Sequence, residues 1–183
     1  MPSVPPAELH GPTVTLRQYR LTDRDVLFEA IAISHAHLQR WMPWAQAPPT
    51  DESVLAFLIP AVVNFGASHA ADYAITVAGS GRFAGGCGLL PRIGPGALEI
   101  GYWLDVRCVG QGLATEAVAL LTDAALAIDD VNRVEIHCDQ ANVRSAAVPE
   151  RLGYRLDRIE DDEVAVPGET GRSMIWVATT PSP

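Results

Sequence analysis

The amino-acid sequence predicts an α+β fold built on one mixed, mostly antiparallel sheet that is flanked by helices. Three observations carry this prediction. Several short segments alternate apolar with polar or small residues, which is typical of half-buried strands. Two of these segments follow each other across a glycine turn, which indicates a hairpin. A longer segment has apolar residues three and four positions apart, which indicates an amphipathic helix packed on the sheet.

Length and composition favour one domain. A chain of 183 residues with 48% hydrophobic residues can bury one substantial core, and no internal repeat divides it. We expect a proline-rich lead over residues 1–12 and a single domain over residues 13–180, which begins with a strand over residues 13–19.

Helices are predicted on both sides of a proline-rich loop. Thr22 or Asp23 is a suitable N-cap for a helix to about residue 33, and a second short helix is expected over residues 34–41. After the loop, Thr50 and the acidic residues that follow it begin a third helix. These helices precede the main sheet.

The rest of the chain alternates strands and helices. Glu99 and Leu98 begin opposite faces of one strand, because successive side chains of a strand point to opposite sides. In chain order, the pattern predicts a hairpin over residues 72–90, a strand over 97–104, a helix after 112, a strand over 133–139, a helix over 142–152 and two final strands.

The net charge and the cysteines limit the kinds of partner and the cellular compartment that we expect. Asp and Glu total 22 against 13 for Lys and Arg, so the net charge of −9 should repel nucleic acid and membranes and suits an amine-bearing partner; alternatively, it only keeps the protein soluble. Cys87, Cys108 and Cys138 are odd in number and widely spaced, which argues against a disulfide framework and a metal site. We expect a cytoplasmic protein without a metal.

The turn before the helix at residue 113 is suited to bind an anion. Gly110 and Gly112 allow the backbone to approach a ligand, and the first N–H groups of a helix attract negative charge. A simple strand-to-helix turn would use glycine in the same way. A Walker loop is excluded because Leu113 follows Gly112, and Thr115 departs from the dinucleotide fingerprint.

Two motifs together give the turn a more specific meaning. VGQGLA over residues 109–114 is followed by NVRSAAVPERLGY over residues 142–154. In this order they resemble the RimJ/RimL-type branch of the GCN5-related N-acetyltransferases, and the resemblance covers most of residues 13–178. It implies acetyl-CoA as the co-substrate, held between two parallel strands that splay apart, at residues 97–104 and 133–139.

The resemblance also implies which residues bind the coenzyme. Val109, at the head of the turn, stands where the family has Gln or Arg, so backbone amides should carry most of the binding, with Arg107 as a partial replacement. The residues that the resemblance places at the coenzyme are Leu104, Val106, Arg107, Val109, Gly110, Gln111, Gly112, Leu113, Ala114, Thr115, Asn142 and Ser145.

Glu99 and Ser145 are the predicted catalytic residues. Glu99 could accept a proton from the amine, directly or through water, or it could be a salt-bridged structural carboxylate. His137 is an alternative base or a structural histidine. Ser145 could hydrogen-bond the departing thiolate, because Pro149 occupies the position of the family's tyrosine general acid. Ser145 could equally cap its helix.

The acceptor is expected to be a primary amine, either the α-amine of a protein or a small molecule such as an antibiotic. By family position Trp41 and Trp44 line its pocket, and Tyr102 and Trp103 flank the cleft, although clustered tryptophans could also be core. The enzyme would be a monomer or a homodimer. Two alternatives remain: a non-catalytic acyl-CoA-binding regulatory module, and an acyltransferase that uses succinyl-CoA.

Overall fold

The fold is organised around one sheet, seen in a computed structural model that describes residues 4–179. Over these residues the sheet has eight strands in the order β1-β2-β3-β4-β5-β6-β8-β7, and β5 and β6 are its single parallel pair. This confirms the predicted mixed, mostly antiparallel α+β fold. The elements are β1 (Glu8–His10), β2 (Val14–Gln18), α1 (Arg24–Leu38), α2 (Asp51–Val63), β3 (Ala71–Val77), β4 (Phe83–Leu90), β5 (Ala97–Leu104), α3 (Leu113–Leu126), β6 (Arg133–Asp139), α4 (Val143–Arg151), β7 (Arg155–Asp161) and β8 (Arg172–Thr179).

Two elements differ from the sequence-based expectation. Strand β1 lies inside the predicted lead and pairs with β2, so the sheet starts before residue 13. The two helices expected up to residue 41 are one helix, α1. Ser34 does not interrupt it, because the Ser34 side chain is fully buried and its Oγ accepts the Val106 N–H at 2.9 Å. Residues 1–3 of the lead, and residue 180 at the end of the predicted domain, lie outside the described residues.

The helices cover both faces of the sheet. Alternate residues of β3 point to opposite sides: Tyr73 and Ile75 belong to a core shared with α3 and α4, whereas Ala74 packs with α1 and α2. This alternation follows from the two-residue period of a strand. Within residues 4–179, none of the helices combines the length and the apolar character needed to cross a bilayer.

The parallel strands β5 and β6 separate after a short contact. They pair at three positions, Ala97 with Arg133, Leu98 with Val134 and Glu99 with Glu135. Beyond Glu99, β5 continues to Leu104 beside β4, and β6 continues beside β8. The cleft that opens between them confirms the predicted splay and positions the site.

Candidate active site

The loop from β5 to α3 is fixed on α1 and on its own buried carboxylate. Asp105 is 1% exposed, and its Oδ1 accepts the Arg107 N–H at 2.8 Å, while the guanidinium of Arg107 contacts both carboxylate oxygens. Burial opposes ionisation of Asp105, but these bonds outweigh it and lower its pKa below the usual value. The Val106 N–H bond to Ser34 anchors the same loop to α1.

The end of this loop presents unpaired backbone N–H groups. Gly110 and Gly112 have φ of 76° and 79°, a region that favours glycine, and a Cβ at either position would meet open space. Gly112 is the N-cap of α3 and offers no side chain to the first N–H groups of the helix. Since those groups have no partner within the helix, they form a site for an anion.

A large cavity lies over this helix start, with a volume of about 940 Å³. It occupies the cleft between β5 and α4, and its size is at the upper end of the roughly 300–1,000 Å³ typical of ligand sites. Nine of the twelve residues predicted to bind coenzyme line it: Leu104, Val109, Gly110, Gly112, Leu113, Ala114, Thr115, Asn142 and Ser145.

The other three residues, Val106, Arg107 and Gln111, lie outside the lining of this larger cavity. The Val106 N–H donates to Ser34 Oγ. Arg107 pairs with Asp105 and with Glu29, at 2.8 Å, so its guanidinium does not take the place of the missing polar residue at Val109. Gln111 donates to the Arg107 carbonyl at 3.3 Å.

Four polar residues that line the larger cavity were not predicted from the sequence: His37, Glu116, Arg144 and Arg151. Arg144 and Arg151 line it and form no ion pair with any described residue. Arg144 and Arg151 are seven residues apart, about two helical turns, so they lie on one face of α4. This spacing is visible in the sequence and could have indicated the pair. His37 also lines the cavity, and burial together with the nearby Arg144 lowers its pKa, which favours the neutral imidazole.

A second, smaller cavity of about 310 Å³ adjoins the first. The two cavities share five lining residues, so a group bound in one cavity can approach a group bound in the other where they meet. The shared residues are Trp41, Met42, Tyr102, Asn142 and Ser145.

Tyr102 and Ser145 meet at this junction. The Tyr102 hydroxyl donates to the Ser145 carbonyl at 2.9 Å and lies 3.0 Å from Ser145 Oγ. Burial raises the pKa of Tyr102 well above its usual value, so the phenol keeps its proton. Ser145 is not the helix cap, because Asn142 holds that position and its Oδ1 accepts the Ser145 N–H at 3.3 Å.

A histidine flanked by two buried carboxylates faces the smaller cavity. His137 Nε2 lies 2.6 Å from Glu135 Oε2, and His137 Nδ1 lies 4.0 Å from Glu99 Oε2. Because a carboxylate only accepts, Nε2 carries the hydrogen, and the neutral ring keeps its Nδ1 lone pair on the side of Glu99. Both oxygens of Glu99 are held by Arg92, and Glu135 also contacts Arg133 at 2.9 Å.

The four predicted aromatic residues have different positions. Trp41 and Tyr102 line both cavities, and Trp103 lines the larger one. Trp44 lines neither: it is 52% exposed and packs edge-on against Trp103, with 5.8 Å between the ring centroids. Over residues 4–179, no cluster of three or more His, Cys, Asp or Glu residues is placed to hold a metal ion.

A cleft between splayed parallel strands, with a helix start at one end that can bind an anion, is the arrangement that the family resemblance predicted. The family model of the acetyltransferase (GNAT) domain matches residues 13–155, and the chain belongs to that family. Over 146 residues, 77% of each chain, it is 30% identical to "Putative ribosomal N-acetyltransferase YdaF" of Bacillus subtilis (strain 168).

Solved structures share the fold. RimL, a ribosomal L7/L12 alpha-N-protein acetyltransferase in complex with coenzyme A, superposes with a TM-score of 0.85 at 22% identity, over 94% of this chain and 97% of its own. The microcin C7 self-immunity acetyltransferase MccE, in complex with acetyl-CoA and AMP, gives 0.84 at 19% identity, over 93% and 94%. Mycobacterium smegmatis RimJ with CoA-disulfide gives 0.81 at 21% identity, over 94% and 88%.

Proposed function

We propose that the protein transfers an acetyl group from acetyl-CoA to a primary amine by direct attack of the amine on the thioester. The observation that carries the proposal is the meeting of the two cavities at Tyr102 and Ser145. The larger cavity contains the anion site, and the smaller contains a histidine held by carboxylates. Relatives named for ribosomal-protein acetylation and for microcin immunity, some crystallised with CoA or acetyl-CoA, support it.

Coenzyme binding would rest on backbone groups and on α4. The N–H groups from Gly110 to Thr115 would hold the pyrophosphate, because Val109 has no polar side chain to offer. Arg144 and Arg151 supply the positive charge that the head of the turn lacks, since guanidinium groups bind phosphate well. Backbone groups near Leu104 would hold the pantetheine arm and polarise the thioester carbonyl.

His137 would accept the proton that the amine loses. A primary amine attacks only when neutral, and an α-amine of pKa about 8 is mostly protonated at pH 7. Glu135 fixes the ring so that Nδ1 can accept, and Glu99 stabilises the imidazolium that results. We assign Glu99, the predicted base, to this electrostatic role because Arg92 engages both of its oxygens.

Ser145 would assist the leaving group. As the new N–C bond forms and the C–S bond breaks, the sulfur carries the electron pair and takes a proton. The Ser145 hydroxyl lies at the junction, where it would donate a hydrogen bond to the sulfur while Tyr102 orients it, and the proton that the sulfur finally takes comes from solvent. The acetylated amine leaves one proton on His137, which passes to solvent.

The two alternatives find less support in the site. A regulatory module would have no need of a buried Glu99–His137–Glu135 arrangement beside the junction. A succinyl donor needs a free cation near its acyl end, but Arg92, the arginine among the described residues of the smaller cavity, is engaged by Glu99.

One assay series tests the proposal. Acetyl-CoA at saturating concentration should raise Tm, because a ligand that binds only the folded state stabilises it. Release of the CoA thiol should then depend on an added amine and fall in His137→Gln and Ser145→Ala. The chain contains no lysine, so mass spectrometry of the acceptor has little background from self-acetylation. Absence of stabilisation contradicts coenzyme binding, whereas stabilisation without turnover of any amine indicates the regulatory module.

A further inference from the structure

The smaller cavity, which the proposed function assigns to the amine acceptor, has an acidic wall opposite the junction. The acidic residues of this wall are Asp139, Asp162, Glu163 and Glu169. In the described part of the chain, Arg92 is the arginine of this cavity, and Glu99 already neutralises it. A ligand in this cavity therefore meets an excess of negative charge.

Two of the four carboxylates are used to build the wall. Asp139 accepts the Thr170 N–H at 2.7 Å and the Thr170 hydroxyl at 3.0 Å. Glu169 accepts the N–H groups of Ala165 and Val166 at 2.8 and 3.1 Å. These bonds fix the loop over residues 162–171, so the carboxylates of Asp139 and Glu169 are already occupied by contacts within the protein.

The other two carboxylates are free to bind a ligand. Asp162 accepts only the N–H of its neighbour Glu163, and the Glu163 carboxylate forms no hydrogen bond or ion pair with any described residue. Both are exposed at the mouth of the cavity. Since neither has a cationic partner, a positive charge on the ligand is the natural complement.

A hydroxyl on the wall of the same cavity also lacks a partner. Ser173 is 8% exposed and lines the cavity, and its side chain makes no hydrogen bond within residues 4–179. A polar group that loses water when a ligand binds needs a new partner. A ligand N–H that reaches Ser173 Oγ would supply one.

We propose that the acceptor is a dication: the amine to be acetylated carries, a few bonds away, a second positive charge that binds between Asp162 and Glu163. This inference rests on the proposed function. The reacting amine would lie near His137, an N–H of the connecting chain or head group would donate to Ser173, and the second charge would sit at the acidic wall. The same chemistry is offered by a short aliphatic diamine or polyamine and by a peptide with arginine after its first residue.

Matched acceptors test the second charge. Propylamine is compared with 1,3-diaminopropane and spermidine, and the amidated tripeptide Ala-Ala-Ala with Ala-Arg-Ala. In whichever of the two series is acetylated, the small amines or the peptides, we expect kcat/KM of the doubly charged acceptor to be at least about tenfold higher than that of the singly charged one. This ratio should decrease at about 0.5 M salt, because exposed charges are screened. The two arms separate a small amine from a peptide.

Variants test the residues. Asp162→Asn combined with Glu163→Gln should reduce the dication preference at least about fivefold, as expected for two exposed ion pairs. Glu52→Gln with Glu150→Gln removes the same charge at exposed positions outside both cavities and should keep the preference. Ser173→Ala should raise KM for every acceptor and leave the KM for acetyl-CoA unchanged.

A binding measurement separates this inference from the proposed function. The Tm of the CoA-saturated protein is measured with each amine, which requires no turnover. A larger Tm increase with the dications, lost in the double variant, supports the dication even if no amine is acetylated. Equal kcat/KM and equal stabilisation for monocations and dications overturn the inference while leaving the transferase activity intact, and so does a preference that survives the double variant.

Discussion

The Tyr102 hydroxyl lies 3.0 Å from Ser145 Oγ, at the point where the coenzyme cavity and the acceptor cavity meet. One residue comes from β5 and the other from the first turn of α4, so the contact spans the cleft that the splayed strands create. In the proposed mechanism this pair takes the role of the tyrosine that the family resemblance places at Pro149.

Removal of the Tyr102 hydroxyl should slow the reaction without weakening coenzyme binding. We expect Tyr102→Phe to lower kcat about tenfold and Ser145→Ala about 10- to 100-fold, near the low end for general acid catalysis because a thiolate leaves easily. Steady-state kinetics with acetyl-CoA measures both. Tyr154→Phe is the control, since its hydroxyl is buried against Thr122 at 2.5 Å, outside both cavities. Full kcat in Tyr102→Phe would contradict this role.

Loss of His137 should be partly compensated at high pH. In His137→Gln the amine must lose its proton to solvent, so kcat/KM should rise about tenfold per pH unit up to the amine pKa of about 8. The ratio of wild-type to variant activity, about 10- to 100-fold at pH 6.5, should therefore shrink towards pH 9. Rates measured over that range check it. A ratio that stays constant with pH would indicate a structural histidine.

The sequence predicted the elements that form the larger cavity. Strands β5 and β6 have the predicted bounds, because alternate residues of each strand pack in one core. The glycines at 110 and 112 indicated the turn before α3, and both have the positive φ that favours glycine. The backbone conformation of the turn thus follows from local sequence.

The acceptor half depended on tertiary contacts. Nothing local shows that Arg92, seven residues before Glu99, holds both of its oxygens, or that Glu135 orients His137 from the same strand. Three of the four residues of the acidic wall come from a loop 60 or more residues after Tyr102, and the Trp44 ring packs against Trp103 outside both cavities. Side-chain partners across elements are set by packing, which alternation patterns do not encode.

A methyl group on Gly110 should weaken acetyl-CoA binding specifically. Gly110→Ala strains a backbone at φ 76° and places a Cβ beside the phosphate site, so we expect KM for acetyl-CoA to rise about tenfold. Gly79→Ala is a matched control, because Gly79 also has φ 76° and open space around its Cβ but lies in the β3–β4 turn. Tm should fall by a similar amount in both variants. If Gly79→Ala raised KM equally, the effect would be one of general stability.

The Asp23 carboxylate should make stability depend on acid pH. Burial opposes its ionisation, but bonds from Arg17, at 2.7 and 2.8 Å, and from the Arg20 N–H outweigh it and lower its pKa. A lowered pKa means that the stabilisation is complete above the unfolded value of about 3.9 and is lost as pH falls through the folded value.

Asp23→Asn should therefore cost about 1–3 kcal/mol of unfolding free energy at pH 7, and the difference from wild type should shrink as pH falls below about 4 and through the lowered folded pKa. Urea unfolding at several neutral and acid pH values measures it. Asp25→Asn, at an exposed carboxylate in the first turn of α1, should change stability little. A difference of the same size at every pH would show that Asp23 acts through packing rather than charge.

Gly168 should control the acceptor cavity through its contact with the end of α1. Its N–H donates to the Arg40 carbonyl at 2.9 Å, and a Cβ there would lie 2.3 Å from that oxygen and 2.9 Å from Trp41 Cε3. Gly168→Ala must therefore displace the loop that carries the acidic wall.

For Gly168→Ala we expect a stability loss of about 1–3 kcal/mol, as for overpacking, and a several-fold rise in the acceptor KM. Acetyl-CoA should still raise Tm by the same amount, because Arg40 and Gly168 lie outside the coenzyme cavity. Gly88→Ala, whose Cβ would lie 2.8 Å from Asp72 Oδ1 and which lines neither cavity, serves as the stability control. An unchanged acceptor KM in Gly168→Ala would mean that the loop does not form part of the acceptor site.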